Sequence, residues 1–222
     1  MLRSPASARR SKWADWLLAV ALSTLGATSL RAGELEQFFY PEITGTSVTN
    51  LLADPDFPEN PFVVTPVNWF TSGLEGITNA SHFYGSWLRG YLEVPVSGDY
   101  TFYLSADDSA ELHLSTDHSA ANKRLIASVA GKVPYGVYNR QFRQRSEPVM
   151  LERGRQYFFE ILHQQDAVGD HVQVGWLRPD QVLERPIPLR YVQRFVPAAY
   201  QGSGVREPAN APPVIEHPAT HG

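Results

Sequence analysis
The sequence predicts an all-β protein, an antiparallel β-sandwich of many short strands. Three observations predict it. Apolar residues recur at every second position over short segments: Tyr100, Phe102 and Leu104; Ala110, Leu112 and Leu114; Tyr157, Phe159 and Ile161; Val172, Val174 and Trp176. A period of two is the pattern of β-strands. Turn-forming residues punctuate these segments at Pro95-Val96-Ser97-Gly98, Arg153-Gly154 and Gly169-Asp170, as expected between strands. The 222 residues include no cysteine, and 43% are hydrophobic, so the fold stands on a core without disulfides, which a domain of this size can supply.

The N-terminal residues are read apart from that domain. Arg3, Arg9, Arg10 and Lys12 form a positive start, and Leu17 to Leu30 is apolar and followed by small residues. That order is a secretory signal peptide over residues 1–32, and the apolar run is short for a membrane span. The domain covers 33–196, and 197–222 is a disordered tail rich in proline, alanine and glycine with few bulky residues to bury. Export implies a secreted, periplasmic or cell-surface protein with no membrane insertion after signal cleavage.

Within the domain, Gln37 to Tyr40 reads as a first strand and Ser47 to Leu52 as a helical turn capped by Ser47. Asp54 to Pro61 is a proline-rich loop, and Trp69-Phe70-Thr71 a candidate strand. Asn79-Ala80-Ser81 is a formal N-glycosylation sequon. Trp87 to Thr116 reads as three strands joined by two hairpins, the second with Ala106-Asp107-Asp108-Ser109 at its tip. Lys123 to Ser128 is a short strand, and Gly131 to Tyr138 a loop with glycine and tyrosine. Tyr157 to Leu162 is apolar on both parities, so it belongs in the middle of a sheet. Trp69, Trp87 and Trp176 read as core.

Charge and motifs narrow the function. Without residues 1–32 the chain has 14 basic and 22 acidic residues, a formal charge of −8. That disfavours nucleic acid and anionic lipid. Arg140, Arg143 and Arg145 alternate, but acids follow, and they read as the solvated face of a strand. The histidines form no cluster for a transition metal. No nucleophile elbow, phosphate-binding glycine loop or H-E-x-x-H occurs. Adjacent Asp107 and Asp108 do not flank a bond as glycosidase carboxylates do. The expectation is a non-enzyme.

The aspartate pair is the distinctive feature. Two carboxylates at one tip repel by on the order of 1 kcal/mol at ~4 Å in water, and more if packed. A solvated acidic turn satisfies the same residues. A hard cation turns the repulsion into attraction, because Ca²⁺ accepts about six to eight oxygen ligands.

The stretch GYLEVPVSGDYTFYLSADDSAELHLS resembles the PA14 domain, the β-sandwich module named after the anthrax toxin protective antigen. The family signature is a G-x-L-x-x-P-x-S-G-x-Y-x-F pattern running into a D-D pair. STDHSAANKRLIASV, LERGRQYFFEILHQQDAVGDHVQVGWLRPD and LERPIP follow in the family order, and the resemblance runs from Phe38 to Phe195. In sugar-binding members such as yeast adhesins, the D-D pair has a cis peptide and holds a Ca²⁺ that in turn holds sugar hydroxyls. Asp107 and Asp108 match that pair. A second loop in those relatives supplies an asparagine and backbone carbonyls to the ion. Here the asparagine is absent, and Gln165, Asp166 or Asp170, with backbone oxygens of Ala167 or Val168, stand in its place. The resemblance therefore implies Ca²⁺ as cofactor, a glycan or polysaccharide as ligand, and a non-catalytic, lectin-like adhesion module. Tyr135 and Tyr138, in a glycine-bearing loop, are the candidate aromatic faces for sugar C–H patches. The alternative is a structural or protein-docking module of the cell surface, with its own protein partner, in which the acidic pair only stabilises the fold.

Overall fold
The computed structural model describes residues 35–67, 71–72, 83–167 and 169–195. The expected signal peptide and tail, the Asn79 sequon, Trp69 and Val168 lie outside them. The described strands are β1 (Leu35–Pro41), β2 (Val63–Val67), β3 (Thr71–Ser72), β4 (Tyr84–Glu93), β5 (Gly98–Asp107), β6 (Ser109–Ser115), β7 (Lys123–Val129), β8 (Val149–Leu151), β9 (Gln156–Gln165), β10 (His171–Leu177), β11 (Leu183–Glu184) and β12 (Val192–Arg194). They form two antiparallel sheets. The larger has the order β2-β1-β4-β9-β6-β7, with β12 also against β4. The smaller has the order β11-β10-β5-β8, with β3 also against β10. The single α-helix among the described residues, α1 (Val48–Leu52), begins as expected at Ser47, whose hydroxyl accepts from the Thr49 N–H. No described helix is long and apolar enough to cross a membrane.

The period-two residues face each other across the sandwich. Leu88, Leu92, Leu112, Leu114, Phe159 and Ile161 of the larger sheet meet Tyr100, Phe102, Leu104, Val172, Val174 and Trp176 of the smaller one. β9 is central, between β4 and β6. Its outward residues are buried too, because Leu162 joins Phe38, Tyr40, Leu51 and Trp87 in a second cluster covered by α1. That explains why β9 is apolar on both parities.

Two expectations need correction. Neither turn in the Trp87–Thr116 stretch is a hairpin. β4 and β6 lie in the larger sheet and β5 in the smaller, so each turn carries the chain from one sheet to the other. Alternation reports which side chains face inward, and an arch between sheets satisfies it as well as a hairpin does. Second, β2 follows the proline-rich loop where no strand is expected. Its Pro66 cannot donate to a ladder, and the strand is tolerated because among the described residues it is an edge, paired only with β1.

Trp176 anchors the smaller sheet. It is fully buried, its ring centroid lies 5.1 Å from Tyr100 and 5.2 Å from Tyr191, and its indole N–H donates to Glu184 at 2.7 Å. Trp176→Ala is expected to cost about 3–5 kcal/mol in urea unfolding. A loss below about 1 kcal/mol would contradict this packing.

Candidate metal centre
Two arches meet at one end of the sandwich. β5 pairs with β10 and β6 with β9, so the β5–β6 connection at Asp107-Asp108 lies beside the end of β9 and the start of β10, with Asp166, Ala167, Gly169 and Asp170 between those strands. Sheet register alone brings together residues distant in sequence: His171 lies opposite Asp107, 64 positions away, and Gln164 opposite Ser109, 55 positions away. The peptide between Asp107 and Asp108 is cis. Neither aspartate is a solvated turn residue, since Asp107 is 4% and Asp108 8% exposed.

The two carboxylates are held differently. Asp108 accepts the backbone N–H of Asp166 at 2.8 Å. Burial pushes the Asp108 carboxyl above its ordinary range; the Asp166 N–H opposes this, and the charge of Asp107 adds to it. Asp107 Oδ2 lies 2.6 Å from the ammonium of Lys132. The Val133 N–H donates to the Ala106 carbonyl at 3.0 Å, which pins the lysine loop beside β5. The Asp107 carbonyl accepts from His163 Nε2 at 2.8 Å.

The second arch closes over this pair. The Gly45 N–H donates to Asp166 Oδ1 at 3.1 Å, and the Gln165 amide donates to the Gly169 carbonyl. Gly169 has φ +91°, and a Cβ there would lie 2.4 Å from Asp107 Oδ2 and 2.8 Å from Lys132 Nζ. The position requires glycine both for its conformation and for the close approach of backbone to carboxylate. Asp170 lies beside Tyr84; burial, and secondarily that carboxylate, push the Tyr84 hydroxyl well above its ordinary range. Burial, and secondarily His163, lower the His171 imidazole to about 4, so it is neutral at pH 7.

Some acceptor atoms here have no donor. Asp107 Oδ1 and Gln165 Oε1 are buried without a hydrogen-bond partner, and Asp170 Oδ1 is buried with only the Tyr84 hydroxyl beside it as a donor. Buried acceptors left unpaired are costly. Two carboxylate oxygens and an amide oxygen, all hard donors, are the type a Ca²⁺ ion takes, so the residues fit the ion in kind. Among the described residues, however, no group of three or more His, Cys, Asp or Glu side chains is placed to hold a metal. A complete shell therefore needs Gln165, backbone carbonyls and water.

Of the residues expected at the site, Asp107, Asp108, Gln165, Asp166 and Asp170 are brought to the same end. Tyr135 is there as well, 67% exposed, its ring centroid 5.4 Å from that of His171. Tyr138 is not an exposed face as expected. It is 7% exposed and lies under Arg185, with its hydroxyl donating to Gln173 at 3.3 Å. The glycine-rich composition of the loop carries no information about which of its rings the sheet covers. Lys132, His163 and His171 are additional. None has a spacing signal in the sequence, because each is placed by strand register or by a loop tether. Trp87 is core, stacked under Arg89 at 4.2 Å and donating to Glu160.

A protein-family model described as PA14 domain matches residues 46–189. Among curated proteins, the chain is 32% identical over 150 residues to N-acetyl-beta-glucosaminyl-glycoprotein 4-beta-N-acetylgalactosaminyltransferase 1 of Mus musculus, a match covering 65% of this chain and 14% of that protein. Among solved structures, the PA14 sugar-binding domain from an RTX adhesin aligns with a TM-score of 0.54 at 14% identity, over 74% of this chain and 100% of that one. The PA14 domain of the MpAFP antifreeze protein aligns with a TM-score of 0.53 at 15% identity, over 77% and 94%. At these identities the structural likeness speaks for the fold.

Proposed function
The chain belongs to the PA14 domain family, and on that premise we propose that it is an exported, calcium-dependent carbohydrate-binding module that acts by adhesion and breaks no bond. The observation that carries this reading is the donorless buried oxygens of Asp107 and Gln165 where two arches converge, with the Asp170 carboxylate at the same end. Asp107 and Asp108 supply negative charge, and Gln165 with backbone carbonyls of the described residues beside it completes the cradle. When bound, Ca²⁺ supplies open coordination positions for vicinal sugar hydroxyls. Tyr135 presents an exposed ring beside the same end for the apolar face of a sugar. The solved PA14 domain of an RTX adhesin is described as sugar-binding, which supports the ligand class and a place outside the cell. The 14% share of the transferase spanned by this chain gives no ground for carrying over its activity.

One observation favours a second reading. Lys132 already neutralises Asp107 at 2.6 Å, as it would if the acidic arch were only a fold-stabilising element. A glycan array probed with millimolar calcium and then with EDTA separates the two. The first reading predicts retention on specific glycans that EDTA abolishes. Calcium-induced thermal stabilisation without retention on any glycan supports the second.

A further inference from the structure
A pocket of about 510 Å³ opens on the outer face of the smaller sheet, away from the inter-sheet core. Its wall is built rather than incidental. The turn over Phe142–Gln144 hangs on Gln144, which is fully buried. The Gln144 amide donates to the carbonyls of Leu104 at 2.9 Å and Val137 at 2.7 Å, and its oxygen accepts from the N–H groups of Arg140 and Gln141 at 2.8 Å each. One of these bonds ties the turn to β5 and the other three hold the 137–144 loop to itself. The alternating arginines that the sequence assigns to a strand face are on this turn and beside it.

Arg185 and Arg145 line the pocket. The Arg185 guanidinium lies over the ring of Tyr103 at 4.0 Å and over that of Tyr138 at 4.7 Å. Such stacking sets the plane of the fork before any ligand arrives. Arg178, Arg190 and Arg194 are each ion-paired with a carboxylate. Among the described residues neither Arg145 nor Arg185 has a carboxylate within 4.0 Å. The chain as a whole is acidic, so two unpaired guanidinium groups in one concavity mark it as a place for an anion. Its other walls include Asn139 and Phe142, the latter 90% exposed. A flat apolar ring beside amide and guanidinium donors suits a sugar better than a bare inorganic anion.

We propose that the pocket formed by Tyr103, Tyr138, Asn139, Phe142, Arg145 and Arg185 binds a carboxylate-bearing sugar residue of an acidic glycan. The guanidinium groups take the carboxylate in forked hydrogen bonds. The side chain of Phe142 covers the ring, and Asn139 meets a hydroxyl. This site is separate from the aspartate arch and needs no metal.

The test is calorimetric titration of the full chain in calcium-free buffer, with an oligogalacturonate and a sialylated trisaccharide as probes. Absence of metal keeps the aspartate arch out of the result, so success or failure here is distinct from that of the calcium reading. At least one acidic probe is expected to bind, and its methyl ester at least about tenfold more weakly, as loss of a charge-assisted pair requires. Arg145→Gln, whose side chain makes no hydrogen bond among the described residues, and Arg185→Lys, which keeps the charge but not the fork, are each expected to weaken binding about tenfold. Arg143→Gln, outside the pocket, is expected to change it less than about twofold. Failure of both acidic probes to bind overturns the proposal. So does an equal effect of all three variants, which would indicate a diffuse positive surface, or competition by inorganic sulfate as strong as that by the sugar acid.

Discussion

Lys132→Met is expected to tighten calcium binding by about tenfold and, in the same protein, to lower the melting temperature of the calcium-free form. The two effects have one cause. The lysine ammonium sits 2.6 Å from Asp107 Oδ2, so a divalent ion at the arch either displaces it or binds against its charge. Unit charges at about 4 Å interact by about 1 kcal/mol in water and about 4 kcal/mol at an effective dielectric constant of 20. Lys132 is more than half exposed and can swing away, which puts the penalty near the lower figure, doubled for a divalent partner and then reduced by screening. Without calcium the same substitution leaves the buried Asp107 carboxylate without its cation, at a cost of roughly 1 kcal/mol after the same discount. Calcium titration by calorimetry and thermal denaturation with and without the ion read the two effects. If Lys132→Met leaves both the calcium affinity and the metal-free stability unchanged, the lysine is not coupled to the arch.

Asp108→Asn is expected to weaken calcium binding by about a hundredfold while the metal-free protein keeps its stability at pH 7 or gains some. The asparagine oxygen still accepts the Asp166 N–H that Asp108 accepts at 2.8 Å. What it removes is a charge held in a buried position. The sign follows from the raised carboxyl. A carboxyl whose folded pKa lies above its unfolded value costs stability at neutral pH and returns it as pH falls through the folded value. The asparagine variant lacks that dependence, so its stability advantage over the parent is largest at neutral pH and shrinks on acidification. For calcium, removing one carboxylate takes away roughly 3 kcal/mol of attraction, about two orders of magnitude in affinity. Urea unfolding from pH 7 to pH 4 and calcium calorimetry measure the two effects. A fall in metal-free stability equal to the fall in calcium affinity would mean that Asp108 is structural.

The sandwich was legible because inward-facing residues such as Leu104, Leu112 and Val174 alternate cleanly, and burial of one face of a strand demands that alternation. The path of the chain between sheets was not. Strands adjacent in sequence are neighbours only about two-thirds of the time, and nothing in Asp107-Asp108 distinguishes an arch from a hairpin tip. β2 was hidden by Pro66, which an edge strand tolerates. At the site, the aspartate pair and the 165–170 loop were legible through motif resemblance. Lys132 was not, since its pairing with Asp107 arises from a loop tethered through Val133 and leaves no periodic trace. Tyr138 shows the opposite failure: its loop composition suggests exposure, while the small sheet and Arg185 bury it.

The most direct test of calcium-dependent sugar binding is a crystal structure of residues 33–196 grown in millimolar calcium with a glycan selected on the array. One ion is expected, bound by carboxylate oxygens of Asp107 and Asp108 and the amide oxygen of Gln165, with Lys132 turned away and two adjacent sugar hydroxyls on the ion. An arch without metal, with Lys132 still on Asp107 and the glycan absent or elsewhere, would contradict it.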